Sequence, residues 1–384
     1  MRTNIPALTS LRFFAAAAIF ALHAEQIAGF PKGSFAGFSL TESVALFYAL
    51  SGFILHYNYR NNISAIGWLK FLTLRFFRLW PLHVVGLFLA AILAWDDISS
   101  WYRAYLSIPD LAAIIFMMQA WSTKNEVVFA INGVSWSMSV ELFFYAIFPI
   151  ISHWFRKKPV SALAITSIPP AALVIFAQLS GIDTSSGIYN TNPLTLLPEF
   201  TIGVFFAELY VRQHTAGGSR ITWTVIEFST IAALAISNWI APTVFAWILA
   251  HQGIAAVAYV KCFYSAIMCS MVIYAISVER GYLSSALRAY PIRVLGEASF
   301  ALYVIHQPTQ KFMAERFDAI SPGALAAVCS ILTILIAIIL HRTIEIPAYR
   351  FTKKLLYAGP TKQPGRNHSA GCGTSALTES GRES

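Results

Sequence analysis

Ten apolar stretches, each close to the length of one membrane crossing, constrain the fold of this chain more than any other feature. An α-helix of about 20 mostly apolar residues crosses a bilayer. The stretches lie at roughly 5–24, 38–58, 79–95, 134–154, 160–180, 193–211, 221–241, 254–278, 294–314 and 323–343. We therefore predict an all-α integral membrane protein, a bundle of about ten transmembrane helices. A further run, Leu111 to Trp121, is too short to cross and predicts an interfacial or re-entrant segment.

The composition agrees with this class of protein. Hydrophobic residues make up 57% of the 384 positions and charged residues only 12%, whereas a soluble domain carries about 25% charged residues. A soluble core of this size cannot bury so much apolar surface, so much of it must face lipid. The net charge of +9 is explained by lysine and arginine in cytoplasmic loops, and we therefore predict no nucleic-acid partner.

The cysteines predict neither a metal site nor a redox pair. Cys262, Cys269, Cys329 and Cys372 have spacings that fit neither kind of site, and three of them lie in apolar runs. Cysteines in such surroundings are typical of small core residues. We therefore predict that the protein uses no metal.

The distribution of positive charge predicts the orientation. With the N-terminus in the cytoplasm, 20 of the 27 Lys and Arg residues fall on inner segments and six on outer ones. This bias predicts that both termini are cytoplasmic. Residues 1–352 are predicted to form the transmembrane domain, and residues 353–384, rich in small and polar residues, a disordered cytoplasmic tail. The first stretch is interpreted as a retained helix rather than a signal peptide, because Arg12 interrupts it.

Two ionisable residues lie in the first predicted helix. Arg12 and His23 are eleven positions apart, which places them on one helix face about 16 Å apart along the axis. Ionisable side chains inside a membrane normally avoid lipid. The shared face therefore predicts that both residues line the interior of the bundle.

A polar stripe opens the fourth predicted helix. Ser137, Glu141 and Tyr145 follow one another at intervals of four, so they share one face. A buried carboxylate must be paired or protonated. Glu141 is therefore either a structural partner of an arginine or histidine, or a group that orients a catalytic histidine.

The ninth predicted helix carries a second polar face. Its members are Ser299, Tyr303, His306 and Gln310. Pro308 lies within the pattern and predicts a kink near the outer end. His306 is expected at a depth similar to that of His23 and Glu141. Three titratable groups from three helices at one level indicate a functional site.

A paired-arginine segment, "KFLTLRFFRLWPLH", precedes the third stretch. Arg75 and Arg78 are three residues apart and are predicted to share a helical face at the cytoplasmic surface, near Lys70 and Arg60. This cluster is either ordinary cytoplasmic charge or a binding site for a phosphorylated cytosolic ligand, because guanidinium groups match phosphate oxygens.

These features belong to six segments that stand in order along the chain. They are "LTSLRFFAAAAIFALHA", "LFYALSGFIL", "RFFRLWPLH", "GVSWSMSVELFFYAIFP", "ASFALYVIHQP" and "RTIEIPAYRF". Over about residues 5–352 the series resembles the acyltransferase-three family of bacterial membrane proteins, which acylate cell-surface carbohydrates. The family's opening pattern of arginine, ten residues and histidine falls on Arg12 and His23, and its paired arginines on Arg75 and Arg78.

Later family motifs are matched with some departures. The matched positions are Ser51, Gly52, Pro81, Trp136, Ser137, Glu141, Tyr145, Pro149, Ser299, Tyr303, His306, Glu345 and Pro347. Tyr48, Ala49, Glu297 and Phe300 differ from the usual family residues. These departures bear on fine specificity more than on the class of reaction.

The resemblance implies a donor and an acceptor. The donor is acyl-CoA, usually acetyl-CoA and sometimes succinyl-CoA, used as a co-substrate. The acceptor is a hydroxyl of a polysaccharide, a lipid-linked glycan or peptidoglycan. The expected setting is multi-pass in the bacterial inner membrane, in contact with lipid and with glycan export machinery as a further partner.

The resemblance and the polar pattern together predict roles for the donor side. Arg75 and Arg78 hold the phosphates of the donor at the inner surface. Arg12 lines the channel that the acyl arm enters, and Ser137 belongs to the same donor-binding set.

The predicted chemistry centres on one histidine. His23 acts as general base on the acceptor hydroxyl, since an imidazole titrates near neutral pH. Glu141 is predicted to orient His23, and Tyr303, Ser137 or His306 to donate to the developing oxyanion. An acyl-histidine intermediate is the alternative to direct transfer.

Two other functions share this pattern. A transporter or flippase for a glycan precursor also has ionisable groups within its helices, but it forms no acylated product. A membrane sensor or a structural component of an export complex tolerates changes at His23 or Glu141 apart from losses in stability. Covalent product formation separates acyl transfer from both.

Overall fold

The computed structural model describes residues 5–27, 40–93, 106–213, 217–317 and 320–357, and within these ranges every regular element is a helix. Ten of these helices have sixteen residues or more. They are α1 (Pro6–Ile27), α2 (Leu40–Tyr59), α3 (Trp68–Leu93), α4 (Trp136–Lys157), α5 (Pro159–Leu179), α6 (Leu197–Arg212), α7 (Arg220–Gln252), α8 (Ile254–Ser277), α9 (Ser299–Arg316) and α10 (Pro322–Leu340). Shorter helical segments are Ile63–Ile66, Ile108–Ile115, Gln119–Trp121, Asn125–Val128, Gly187–Asn190, Tyr282–Leu287 and Tyr290–Glu297.

Seven helices in the described part of the chain are long and apolar enough to cross a membrane. They are Pro6–Glu25, Trp68–Leu93, Trp136–Lys157, Pro159–Leu179, Arg220–Gln252, Ile254–Ser277 and Pro322–Tyr357. The all-α architecture is thus confirmed. The count of ten crossings and the cytoplasmic location of both termini remain predictions, because α2, α6 and α9 are not among the seven.

Two of the wrongly predicted boundaries bear on the site. Helix α3 begins at Trp68 rather than at residue 79, so the arginine segment is part of the helix and not of a loop. Pro81 lies inside α3 and does not end it. The ninth stretch, predicted as one helix over 294–314, is divided into Tyr290–Glu297 and α9. A hydropathy profile reports only how apolar the side chains are, so it does not show where one helix ends and the next begins.

The C-terminal helix is longer than the apolar run that predicts it. After α10, a π-helical segment, His341–Glu345, leads into the helix Ile346–Tyr357. Residues 353–357 are therefore helical although they fall in the predicted tail. Residues 358–384 lie outside the described residues, and their disorder stays a prediction.

The short apolar run Leu111 to Trp121 is divided between the helix Ile108–Ile115 and the helical turn Gln119–Trp121. Ser107 accepts a hydrogen bond from the backbone of Asp110, and the Asp110 carboxylate accepts one from the backbone of Ser107. This capping box fixes the start of the helix. The hydrogen bonds from Ser107 lower the pKa of Asp110. Eight residues are too few to cross a bilayer.

Helices α2 and α6 approach each other closely through two glycines. A Cβ atom at Gly52 would lie 2.2 Å from the carbonyl oxygen of Phe200, and a Cβ at Gly203 would lie 2.2 Å from that of Ala49. The two backbones therefore touch, as small residues allow in membrane helices. The ring of Phe200 also stacks on Phe144, 4.8 Å between centroids, which joins α4 to the same unit.

A buried ionic network ties α2 to α6 farther along both helices. The Glu208 carboxylate accepts hydrogen bonds from Arg60 at 2.9 Å, Arg212 at 2.7 Å and His56 at 2.7 Å. His56 is itself fully buried and is bonded to Ser152 of α4. Removing one member of such a network leaves a buried charge uncompensated. The network fixes the register of the helices that carry the site.

A test of this packing replaces Gly203 with alanine. The added methyl group collides with the Ala49 carbonyl, and overpacking of this kind costs about 1–3 kcal/mol. We expect the melting temperature of the Gly203→Ala protein in detergent, followed by tryptophan fluorescence, to fall by several degrees. Gly323→Ala is the control, because a Cβ there meets no atom within 4 Å. Equal melting temperatures for the two variants would contradict the packing.

Candidate active site

Two adjoining cavities lie between the helices that carry the predicted site residues. We name the first the arginine cavity, lined in part by Arg12, Ser51, Arg78, Ser137, Glu141 and Tyr145. We name the second the histidine cavity, lined in part by His23, Trp136, Tyr189, Glu199, Lys261 and Lys311. Their volumes are about 60 Å³ and about 430 Å³. Val44 and Tyr303 line both, so the cavities meet at these two side chains.

Helix α1 runs past both cavities. Arg12 lines the arginine cavity and His23 lines the histidine cavity. Eleven residues of helix separate them by about 16 Å along the axis. The structure therefore brings both residues into the interior, as predicted, but into two adjoining cavities rather than one.

Positive charge dominates the arginine cavity. The guanidinium of Arg78 lies 3.8 Å from the Glu345 carboxylate, which also accepts a hydrogen bond from His341 at 2.8 Å. Among the described residues, Arg12 forms no ion pair or hydrogen bond with another side chain. Glu345 belongs to the π-helical segment, a geometry frequent at functional sites. The cavity therefore presents cationic groups suited to an anionic ligand.

Glu141 is held on the arginine side. Its Oε1 atom accepts hydrogen bonds from Ser51, at 3.0 Å, and from the hydroxyl of Tyr145. No hydrogen bond joins Glu141 to His23 among the described residues, although the sequence predicted that Glu141 orients this histidine. The two side chains line different cavities, which is why the predicted contact is absent.

His306, and not Glu141, is the residue that contacts His23. Its Nε2 atom lies 3.1 Å from Nδ1 of His23, and its own Nδ1 lies 2.6 Å from the carbonyl oxygen of Tyr303. A carbonyl only accepts, so Nδ1 of His306 must carry the proton and, in the neutral ring, its Nε2 accepts. His306 is only 1% exposed, whereas His23 is partly exposed to the histidine cavity.

The same logic fixes the tautomer of His23. Its Nδ1 hydrogen is shared between His306 and the carbonyl of Ile19, 3.1 Å away. The Nε2 atom of the neutral ring then carries a lone pair. A histidine held in this way is prepared to accept a proton, because its second nitrogen fixes the tautomer and the ring orientation.

Tyr303 connects the two cavities. Its hydroxyl donates to Oγ of Ser137 at 2.8 Å, and Ser137 in turn donates to the carbonyl of Val134 at 3.1 Å. The backbone of the same tyrosine receives the His306 hydrogen bond. Hydroxyl groups therefore stand at the junction, close to the point at which ligands from the two sides would meet.

Arg75 does not occupy its predicted position at the cytoplasmic surface. It is 9% exposed, and its guanidinium lies 5.1 Å, 5.5 Å and 5.7 Å from the ring centroids of Tyr59, Phe71 and Tyr145. Cation–π contacts of this kind hold an arginine against aromatic rings. Because α3 begins before Arg75, the residue is packed inside the bundle. Of the predicted pair, Arg78 lines the cavity and Arg75 supports Tyr145.

Several cavity residues were not singled out from the sequence. They are Tyr189, Glu199, Lys261 and Lys311. Glu199 could have been found, because it is a carboxylate within the predicted stretch 193–211 and such residues mark functional sites in membranes. Tyr189 lies in the short helix Gly187–Asn190 and carries no such signal.

Comparison with known proteins agrees with the resemblance found in the sequence. A family model described as an acyltransferase domain matches residues 5–342. The acyltransferase MdmB of Streptomyces mycarofaciens is 26% identical over 391 residues, covering 90% of this chain and 92% of that protein. The O-acetyltransferase OatA of Staphylococcus aureus is 26% identical over 364 residues, covering 89% of this chain and 57% of that protein.

The relatives share the chemistry that their names print, which is the transfer of an acyl group. No solved structure matches the chain significantly. The family match covers both cavities and all the helices that line them. This chain therefore belongs to the acyltransferase-three family of membrane acyltransferases.

Proposed function

We propose that the protein transfers an acyl group, acetyl in the simplest case, from acyl-CoA to a hydroxyl of a cell-surface or lipid-linked carbohydrate. The observation that carries this proposal is the His23–His306 pair, which leaves Nε2 of His23 as a base beside a cavity that adjoins the arginine cavity. The names of the two relatives support acyl transfer, and that of OatA supports transfer of acetyl to oxygen.

The arginine cavity suits the donor. Coenzyme A carries phosphate groups, and guanidinium groups bind phosphate through charge-assisted hydrogen bonds. Arg12 and Arg78 are the cations that line this cavity. The cavity is narrow, so it fits the thin acyl arm, with the nucleotide outside it. In the predicted orientation the donor enters from the cytoplasm of a bacterial cell, across the inner membrane from the acceptor.

The reaction follows from the two histidines. As the acceptor oxygen attacks the thioester carbonyl, His23 takes the proton from the hydroxyl. The bond between carbon and oxygen forms, the bond between carbon and sulfur breaks, and His23 returns the proton to the departing thiolate. His306 accepts the Nδ1 hydrogen of His23 throughout and so stabilises the imidazolium. The hydroxyls of Tyr303 and Ser137 stand at the junction, and the Tyr303 proton, once turned away from Ser137, can be donated to the oxyanion.

The first prediction separates the roles of the two histidines. Purified protein in nanodiscs is given radiolabelled acetyl-CoA and a glycan extract, and acylated product is counted. His23→Ala removes the base, and we expect activity to fall about 10²–10⁴-fold. His306→Leu removes the acceptor for Nδ1–H and is expected to lose activity to a similar extent. His306→Gln keeps an acceptor oxygen and is expected to recover part of it.

The controls are the melting temperature of each variant and its binding of acetyl-CoA, both of which should remain close to wild type. Full activity in a folded His23→Ala protein would remove the base from the account. Equal activity in the leucine and glutamine variants of His306 would show that its hydrogen bond does not position His23.

The second prediction compares the two arginines of α3. Arg78→Ala removes a charged contact worth about 1.5–3 kcal/mol, so we expect the dissociation constant for acetyl-CoA to rise about tenfold or more. Arg75→Ala leaves a void between aromatic rings and is expected to lower the melting temperature instead. Equilibrium binding of radiolabelled acetyl-CoA measures the first effect, and thermal unfolding measures the second. If Arg75→Ala weakens binding as much as Arg78→Ala does, the donor does not lie in the arginine cavity.

A further inference from the structure

The histidine cavity contains buried polar groups that no protein atom satisfies. Glu199 is 1% exposed, and neither of its carboxylate oxygens has a hydrogen-bond partner among the described residues. The hydroxyl of Tyr189, also 1% exposed, has none either. Leaving such groups buried and unpaired destabilises a protein unless a ligand or water completes them. Both side chains line the same cavity as His23.

The local structure explains how a carboxylate can be retained there. Glu199 lies in the first turn of α6, where the positive end of the helix dipole favours an anion. Lys261 of α8 lines the same cavity and contributes positive charge without forming an ion pair with Glu199 among the described residues. The carboxyl oxygens of Glu199 therefore remain available to a ligand.

The chemistry of these groups selects the ligand. The two oxygens of a carboxyl group lie side by side and match two neighbouring hydroxyl groups. Tyr189 can accept from or donate to a third hydroxyl, and the indole of Trp136 adds an apolar wall to the same cavity. Cationic ligands are disfavoured by Lys261 and Lys311. A neutral polyol satisfies all of these conditions.

We propose that Glu199 and Tyr189 form an acceptor subsite that binds a vicinal diol of the sugar beside the hydroxyl to be acylated. This inference rests on the proposed function, since it assigns the histidine cavity to the acceptor. The donor lies on the other side of Tyr303, between Arg12 and Arg78. The subsite therefore determines which hydroxyl of the acceptor reaches Nε2 of His23.

The experiment uses full-length protein in nanodiscs, radiolabelled acetyl-CoA and a glycan extract as the acceptor probe. Initial rates are measured against extract concentration and, separately, against acetyl-CoA concentration. For Glu199→Gln and Tyr189→Phe we expect the extract concentration at half-maximal rate to rise about tenfold or more. The corresponding acetyl-CoA concentration should stay within about twofold of wild type. Glu227→Gln is the matched control, because Glu227 is a fully buried carboxylate of α7 that does not line the histidine cavity.

A second arm tests the diol directly. The extract is treated with periodate, which cleaves vicinal diols, and is then reduced and compared with a mock-treated sample. We expect the wild-type protein to acylate the treated extract at less than about a tenth of the mock rate. Thermal unfolding of each variant verifies that the substituted proteins are folded.

The outcomes separate this inference from the proposed function. If the wild-type protein acylates nothing in the extract, the proposed function fails and the subsite fails with it. A second outcome is that the wild type acylates the extract while Glu199→Gln and Tyr189→Phe reach half-maximal rate at the same extract concentration as the wild type. In that case only the subsite is overturned. A parallel rise in the acetyl-CoA requirement, or undiminished acylation of the periodate-treated extract, overturns it as well.

Discussion

The hydrogen bond between His23 and His306 is the interaction on which the rest of the site depends. It crosses from α1 to α9 in a partly buried position and joins the rings of His23 and His306. The Tyr303 carbonyl accepts a hydrogen bond from Nδ1 of His306, so this nitrogen carries the proton of the neutral ring. Nε2 of His306 must then accept the hydrogen bond from Nδ1 of His23, which fixes the tautomer of His23 as well. In the proposed mechanism, a neutral histidine does for His23 what a carboxylate does in a catalytic triad. The outer nitrogen of His23 remains available for chemistry.

In the proposed function, the two cavities bind different substrates because the side chains that line them differ. One is narrow and lined by the guanidinium groups of Arg12 and Arg78, which suits an anionic donor. The other is wider and holds an unpaired carboxylate, Glu199, which suits hydroxyl donors. Tyr303 belongs to both cavities and is anchored through Ser137. Close packing of α2 against α6 and the buried network around Glu208 hold the surrounding helices in place.

The sequence was sufficient to predict the class of fold and most of the polar residues that line the interior. Helical periodicity placed Ser137, Glu141 and Tyr145 on one face, since spacing within a helix is fixed by its geometry. Contacts between helices were less predictable, because depth in the membrane does not say which side chains meet. For that reason Glu141 was paired with His23 although its partners are Ser51 and Tyr145. Arg75 was misplaced because its charge was taken as a sign of the cytoplasmic surface.

The central claim is that Nδ1 of His23 carries a proton held by His306 and that Nε2 is the base. Nitrogen NMR of histidine-labelled protein in nanodiscs, with the His23 signal assigned by its loss in His23→Ala, reads the tautomer directly. The account predicts that the neutral ring of His23 is protonated at Nδ1 and that this preference is lost in His306→Leu. A His23 ring protonated at Nε2, or one unaffected by the change at His306, would contradict it.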